Sequence, residues 1–273
     1  MAESTQKSPL AGFLGLARAV GARTLRGVDA VGGMAIFMAA GIGQIFATLR
    51  IVPRTVHQLY VIGYQSLFVI LLIGIFCGMV LGLQGYYTLV QFGSVGLLGS
   101  AVSLTLIREL GPVLTAIMLT GRAGSAMAAE IGVMRITDQV DALDVMDINS
   151  MGYLVSPRIL ASLISFPLLT AIFDVIGIVG GYLTGVCMLG INEGVYFYKI
   201  GHAVTLGDVT GGFIKALVFG LLVSTVCCHQ GYCAHLRRDS VGPEAVGNAT
   251  TSAVVISCVL ILAADYVLTS FLL

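Results

Sequence analysis

From Thr55 to Ile107 the chain runs for 53 residues without an Asp, Glu, Lys or Arg. One bilayer crossing takes about 20 apolar residues, so a run this long must cross, reverse and cross again. The turn is expected between Gln84 and Gly99, where Gly85, Gly93 and Gly96 accompany Gln91, Ser94 and Ser100. That gives spans near 62–84 and 98–120. Further apolar runs follow at Ile159–Leu189, interrupted by Asp174, at Phe213–Cys228, which includes Lys215, and at Thr251–Leu273, which includes Asp265. The reading is an all-α integral membrane protein with five transmembrane helices. Only 10% of the residues are charged and the formal net charge is zero. A soluble domain carries about 25% charged residues, and a nucleic-acid binder needs a basic face. Disordered and coiled-coil chains are excluded on the same grounds, and the 35 Gly suit close helix packing in lipid.

The five spans put Lys7, Arg18, Arg23, Arg26, Arg50, Arg54, Arg122, Arg135, Arg158, Arg237 and Arg238 on one side and only Lys199 on the other. This asymmetry predicts a cytoplasmic N-terminus and a C-terminus outside. Val31–Thr48 is apolar, but a crossing there would carry the N-terminal cations through the membrane. Residues 10–50 are therefore expected to form interfacial helices. The organisation is a cytoplasmic or interfacial segment 1–54 followed by a transmembrane domain 55–273. The apolar stretch starts too late for a cleavable signal peptide.

The chain contains no Gly-x4-Gly-Lys-Ser/Thr loop, no Gly-x-Ser-x-Gly elbow and no His-Glu-x-x-His helix. It is not expected to be an enzyme, and energy for work must come from a partner or an ion gradient. Cys227, Cys228, His229, Cys233 and His235 cluster in sequence, but they read as small fillers at a helix end, with no metal expected.

Between the second and third spans lies a polar insertion, Gly121 to Arg158. Within it Ile136, Val140 and Leu143 fall within about 60° on a helical wheel, with Asp138 opposite. Asp138, Asp141, Asp144 and Asp147 make the far end acidic, which an anionic leaflet would repel, so a docking surface for a soluble protein fits better than a lipid-facing helix.

Leu106-Ile-Arg-Glu-Leu-Gly-Pro-Val-Leu-Thr-Ala, Gly121-Arg-Ala-Gly-Ser-Ala, Ala129-Glu-Ile-Gly-Val-Met-Arg and Thr137-Asp-Gln-Val-Asp-Ala-Leu together resemble the signature of the MlaE family of ABC lipid-transporter permeases. Gly78-Met-Val-Leu-Gly-Leu-Gln-Gly-Tyr, Val155-Ser-Pro-Arg, Ile164-Ser-Phe-Pro-Leu-Leu-Thr and Asp265-Tyr-Val-Leu-Thr extend the likeness from about residue 40 to the end. Residues 1–35 and the Cys/His cluster depart from it. The resemblance implies a permease in a bacterial inner membrane that moves phospholipid between the inner and outer membranes and maintains outer-membrane lipid asymmetry. It implies a homodimer, an ATPase subunit that binds the ATP and carries a STAS-domain protein, and a periplasmic hexamer of MCE-domain subunits. No cofactor is implied for the permease itself, and no nucleic-acid partner. A coupling helix at about 130–147 would meet the ATPase through Glu130, Ile136, Asp138, Val140, Asp141 and Leu143.

Charges at bilayer depth need partners or water. Arg108 and Glu109 are helix neighbours about 100° apart, so partners on other spans are expected: Glu109 with Lys215, and Arg108 with Asp265. By resemblance these four lie near the lipid cavity. Leu81, Gln84, Tyr86, Tyr87, Thr88, Leu89 and Phe92 end the first span and suit an apolar cargo, and resemblance places Leu81, Thr88, Leu89, Phe92 and Leu110 in a lipid pocket between protomers. Gly74, Gly78 and Gly82 recur every four residues, a stripe for close helix contact that a dimer axis would use. The competing reading is an ion-coupled secondary transporter with Arg108, Glu109, Lys215 and Asp265 as relay, but such a carrier predicts internal repeats and the sequence has none.

Overall fold

The computed structural model describes residues 9–45, 52–236 and 242–272. Lys7, Arg50, Arg237 and Arg238, counted in the charge asymmetry, lie outside them, as does the end of the Val31–Thr48 segment. Among the described residues are eight longer helices, α1 (Pro9–Ile45), α2 (Val52–Gln91), α3 (Val95–Ile136), α4 (Gln139–Val145), α5 (Met151–Met188), α6 (Glu193–Ala203), α7 (Leu206–Tyr232) and α8 (Pro243–Leu272), and a single 3-10 turn, Ala234–Leu236, after α7. Among the described residues, α2, α3, α5, α7 and α8 are long and apolar enough to cross a membrane, so the five expected spans are present. Each extends beyond the apolar run that marked it. The reversal between the first two is short: α2 ends at Gln91, and Gly93 takes a left-handed φ of 63° that a Cβ would disfavour. Residues 10–45 form one helix rather than several, and among the described residues its apolar part, Val31–Ile45, is shorter than a span.

Packing explains the glycines. A Cβ on Gly78 would overlap the Gly177 carbonyl, and one on Gly74 or Gly82 would lie a tight 3.2 or 3.1 Å from the carbonyls of Phe173 and Gly181. The stripe on α2 therefore seats α5 of the same chain. The expectation that a dimer axis would use it is corrected, because the face is already filled. Within α7, Gly212 meets the Ile107 carbonyl, Gly220 meets Ser162, and Gly231 meets Ala128, which places α7 centrally between α3 and α5. On α8, Ala245, Ala249, Ala253, Ser257 and Ile261 form one buried line at four-residue spacing, while Val255, Val259, Leu262 and Tyr266 are exposed.

Two wide π turns, Leu106–Leu110 in α3 and Met151–Val155 in α5, each precede a proline by one residue, Pro112 and Pro157. A proline removes a helical donor, and a shifted hydrogen-bond register just ahead of it absorbs the loss. Thr205 and Asp208 close α7 with reciprocal side-chain to backbone bonds.

Candidate functional site

Lys215, 3% exposed, is the hub of an ion cluster. Its Nζ donates to Glu109 Oε2 at 2.6 Å, Thr269 Oγ1 at 2.6 Å and the Arg108 carbonyl at 2.9 Å, and lies 3.2 Å from Asp265 Oδ1. Thr269 donates in turn to Glu109. The accepting carbonyl sits in the π turn, where the helical ladder is displaced. The expected Glu109–Lys215 pair is present, and Asp265 joins it from α8.

Arg108 does not pair with Asp265, which is a correction. Its guanidinium reaches Asp208 Oδ1 at 2.7 Å. Asp265 is committed to Lys215, while Asp208, in the first turn of α7, is held toward Arg108 by the cap with Thr205. Sequence reading missed Asp208 because it lies just ahead of the apolar run. These groups surround a cavity of about 290 Å3 lined by Arg108, Glu109, Thr205, Asp208, Lys215 and Thr269. Asp174 stands apart. Its Oδ1 is buried without a hydrogen-bond partner against Gly111, beside a smaller cavity of about 170 Å3 that Thr170, also unpartnered, helps to line.

A second, apolar groove of about 300 Å3 lies between α2 and α3, lined by Leu81, Gln84, Gly85, Thr88 and Leu89 on one side and Ala101, Val102 and Thr105 on the other. Thr88 and Thr105 donate to the carbonyls of Gln84 and Ala101 one turn back, so both hydroxyls are satisfied and the methyls remain for contact. Three of the five expected pocket residues meet here. Phe92 is 74% exposed beyond the groove, and Leu110 packs against the core instead. The wall from α3 was not foreseen, although Ala101 and Thr105 are one turn apart on a helix.

At the opposite end, the expected continuous amphipathic helix is two helices. α3 stops at Ile136 and α4 starts at Gln139, with Asp138 left-handed at φ 55° between them, a conformation Asp tolerates better than most residues. Val140 and Leu143 point inward, into a cluster with Phe37, Ile131, Leu154, Val155, Ile159 and Cys228. Leu143 therefore does not face a partner's groove, which corrects the expectation carried over from the resemblance. Ile136 is half-buried, and the outward face carries Asp138, Asp141, Asp144, Val145 and Met146. Glu130 bonds Arg158 at 2.8 Å across to α5. α1 closes this end: Ser156 Oγ donates to the Gly41 carbonyl at 2.8 Å, and Phe37 sets its ring edge to His229.

The Cys/His residues disperse. Cys227 lies 3.7 Å from Ser257, Cys233 lies 3.7 Å from His229, and His235 accepts from Arg135. Among the described residues no group of three or more His, Cys, Asp or Glu is placed to hold a metal. Outside the spans, Tyr196 of α6 donates to the Ile178 carbonyl, and burial pushes its phenol up to about 12, so it remains a neutral donor.

Five helices able to cross a membrane, with an apolar groove and a buried ion cluster between them, describe a membrane permease. The family described as Permease MlaE matches residues 55–271, and the chain belongs to that family. It is 40% identical to a probable ABC transporter permease of Rickettsia felis over 94% of this chain and 97% of the relative. It is 41% identical to the intermembrane phospholipid transport system permease protein MlaE of Haemophilus influenzae, over 81% and 83%. The chloroplastic protein trigalactosyldiacylglycerol 1 of Arabidopsis thaliana is 36% identical over 84% of this chain and 65% of its own length.

Proposed function

We propose that the chain is the permease subunit of an ABC transporter that moves phospholipid between the inner and outer membranes of a bacterium and so maintains outer-membrane lipid asymmetry. It works as a homodimer in the inner membrane, N-terminus in the cytoplasm and C-terminus in the periplasm. A cytoplasmic ATPase with its STAS-domain protein docks at the α4 end, binds the ATP and hydrolyses it. A periplasmic MCE-domain hexamer receives or delivers lipid at the other end.

The observation that carries this reading is the groove between α2 and α3: an acyl chain meets Leu81, Leu89, Ala101 and Val102 there, with every lining hydroxyl internally satisfied. Arg108 and Glu109, three and four residues along α3 from Thr105 of the groove, supply charges that a zwitterionic or anionic headgroup can pair with. The name of the Haemophilus relative supports phospholipid as cargo. An ion-coupled carrier is not favoured, because the four relay candidates are bonded to one another or to Asp208 and the relatives are ABC permeases. The test is mass spectrometry of lipid retained by the purified complex. Wild type is expected to retain phospholipid and Leu89→Asp to lose it with the complex intact; equal retention by both would overturn the assignment.

A further inference from the structure

Taking the ABC permease reading as its base, we propose that Arg135 is the positioning residue that fastens α4 to α7, so that a displacement of the ATPase-facing helix reaches the helix carrying Lys215. The apolar floor of α4, Val140 and Leu143, holds it against α1, α3, α5 and Cys228 of α7. Apolar contact resists lifting but resists sliding poorly, since it is non-directional. Among the described residues, the only polar side-chain link from α4 to the rest of the chain is the ion pair between Arg135 and Asp141.

Arg135 sits in the last turn of α3 and uses its planar fork in three directions. One arm holds Asp141 of α4. Nε donates to His235 Nδ1 at 3.1 Å, in the turn directly after α7. The guanidinium carbon lies 5.1 Å from the ring centre of Tyr232, the last residue of α7. Tyr232 continues the link, its hydroxyl 3.3 Å from Ser150 Oγ at the entrance to α5. From Tyr232, α7 runs unbroken to Lys215, about 25 Å away at the helical rise. Left-handed Asp138 and Asp147 bracket α4, so backbone joints on both sides let it turn as a unit once Arg135 is released.

The test reconstitutes the complete complex in liposomes and reads ATP hydrolysis and fluorescent phospholipid transfer together. Arg135→Gln is expected to leave the ATPase bound and hydrolysing while lipid moved per ATP falls about fivefold. Arg135→Lys keeps the charge toward Asp141 but not the fork, and is expected to recover part of that ratio. Tyr232→Leu cuts the α7 side of the clamp, keeps an apolar side chain against the floor of α4 and leaves the Arg135–Asp141 pair in place. It should lower the same ratio, and the Arg135→Gln/Tyr232→Leu double variant should be no worse than the poorer single variant. An unchanged ratio in Arg135→Gln, hydrolysis and transfer falling in proportion, or additive losses in the double variant would each overturn the clamp. If the wild-type chain captures no ATPase, the permease reading itself fails, which is a different result from a failed clamp.

Discussion

Lys215 and Arg158 are both cations buried inside this membrane protein, 3% and 5% exposed, and both pair with a carboxylate from α3. Their surroundings differ. Lys215 shares two carboxylates, a threonine and a displaced carbonyl beside a cavity, so several arrangements of the same groups are close in geometry. Arg158 bonds one half-exposed Glu130 and the Leu154 carbonyl of its own helix, packed where α5 meets the apolar floor of α4. A hub with alternatives beside a cavity suits a site that changes during transport. A single strut on an apolar floor suits an end that must carry force.

The largest expected effect tests the hub. Lys215→Met leaves Glu109 and Asp265 facing one another without a cation, and breaking a buried pair costs about 3 to 5 kcal/mol. Thermal unfolding of the detergent-solubilised protein should show that loss, and Lys215→Met/Glu109→Gln should recover much of it. Arg158→Met should cost less, because Glu130 can turn to water. Equal losses in the two single variants would break the contrast between hub and strut.

Next in size is the floor of α4. Leu143→Arg places a charge among Val140, Ile131, Leu154 and Ile159 and should destabilise the protein itself by about 3 kcal/mol. Val145→Arg, at a side chain 87% exposed, should change stability by no more than about 0.5 kcal/mol. Only ATPase copurification should respond to it. If Leu143→Arg folds normally and merely loses the ATPase, α4 presents its other face.

Spans and pairing were largely readable in the sequence, because long uncharged runs and the cost of buried charge leave few solutions. The 53-residue run required two crossings, and Glu109 required a cation from another helix. Orientation was not readable in the same way. Periodicity groups Ile136, Val140 and Leu143 on one face but is silent on what that face meets, and here Val140 and Leu143 meet the chain's own α1, α3, α5 and α7. The small-residue stripe at Gly74, Gly78 and Gly82 has the same ambiguity, since close packing looks alike within and between chains. Asp208 went unseen because its role depends on a helix cap, a three-dimensional feature one turn from the apolar pattern that drew attention. The break at Asp138 has no glycine to mark it.

A smaller effect separates the groove from its rim. Leu89→Asp should weaken lipid retention by about 1.5 to 3 kcal/mol, the contact of one well-buried side chain, or more than tenfold. Phe92→Asp, outside the groove, should leave retention near wild type when quantified by mass spectrometry. Equal losses would mean that the cargo surface extends past the end of α2, and that lipid contacts the rim as strongly as the wall.

The smallest expected effect decides which acid serves Arg108. The Arg108 side chain is 42% exposed, so its ion pair with Asp208 is screened by solvent and contributes no more than about 1 kcal/mol. Asp208→Asn keeps an oxygen for the α7 cap and retains a neutral acceptor for Arg108. Unfolding should therefore shift by only a degree or two, and added salt should reduce the difference further. Asp265→Asn removes a carboxylate from beside Lys215, which keeps Glu109, Thr269 and the Arg108 carbonyl, so that variant should respond little to salt. The discriminating measurement is the double substitution with Arg108→Gln. With Asp208→Asn the two losses should be less than additive, because they remove the same contact, whereas with Asp265→Asn they should add. The reverse pattern would return Arg108 to Asp265 and leave the first turn of α7 with a capping role alone.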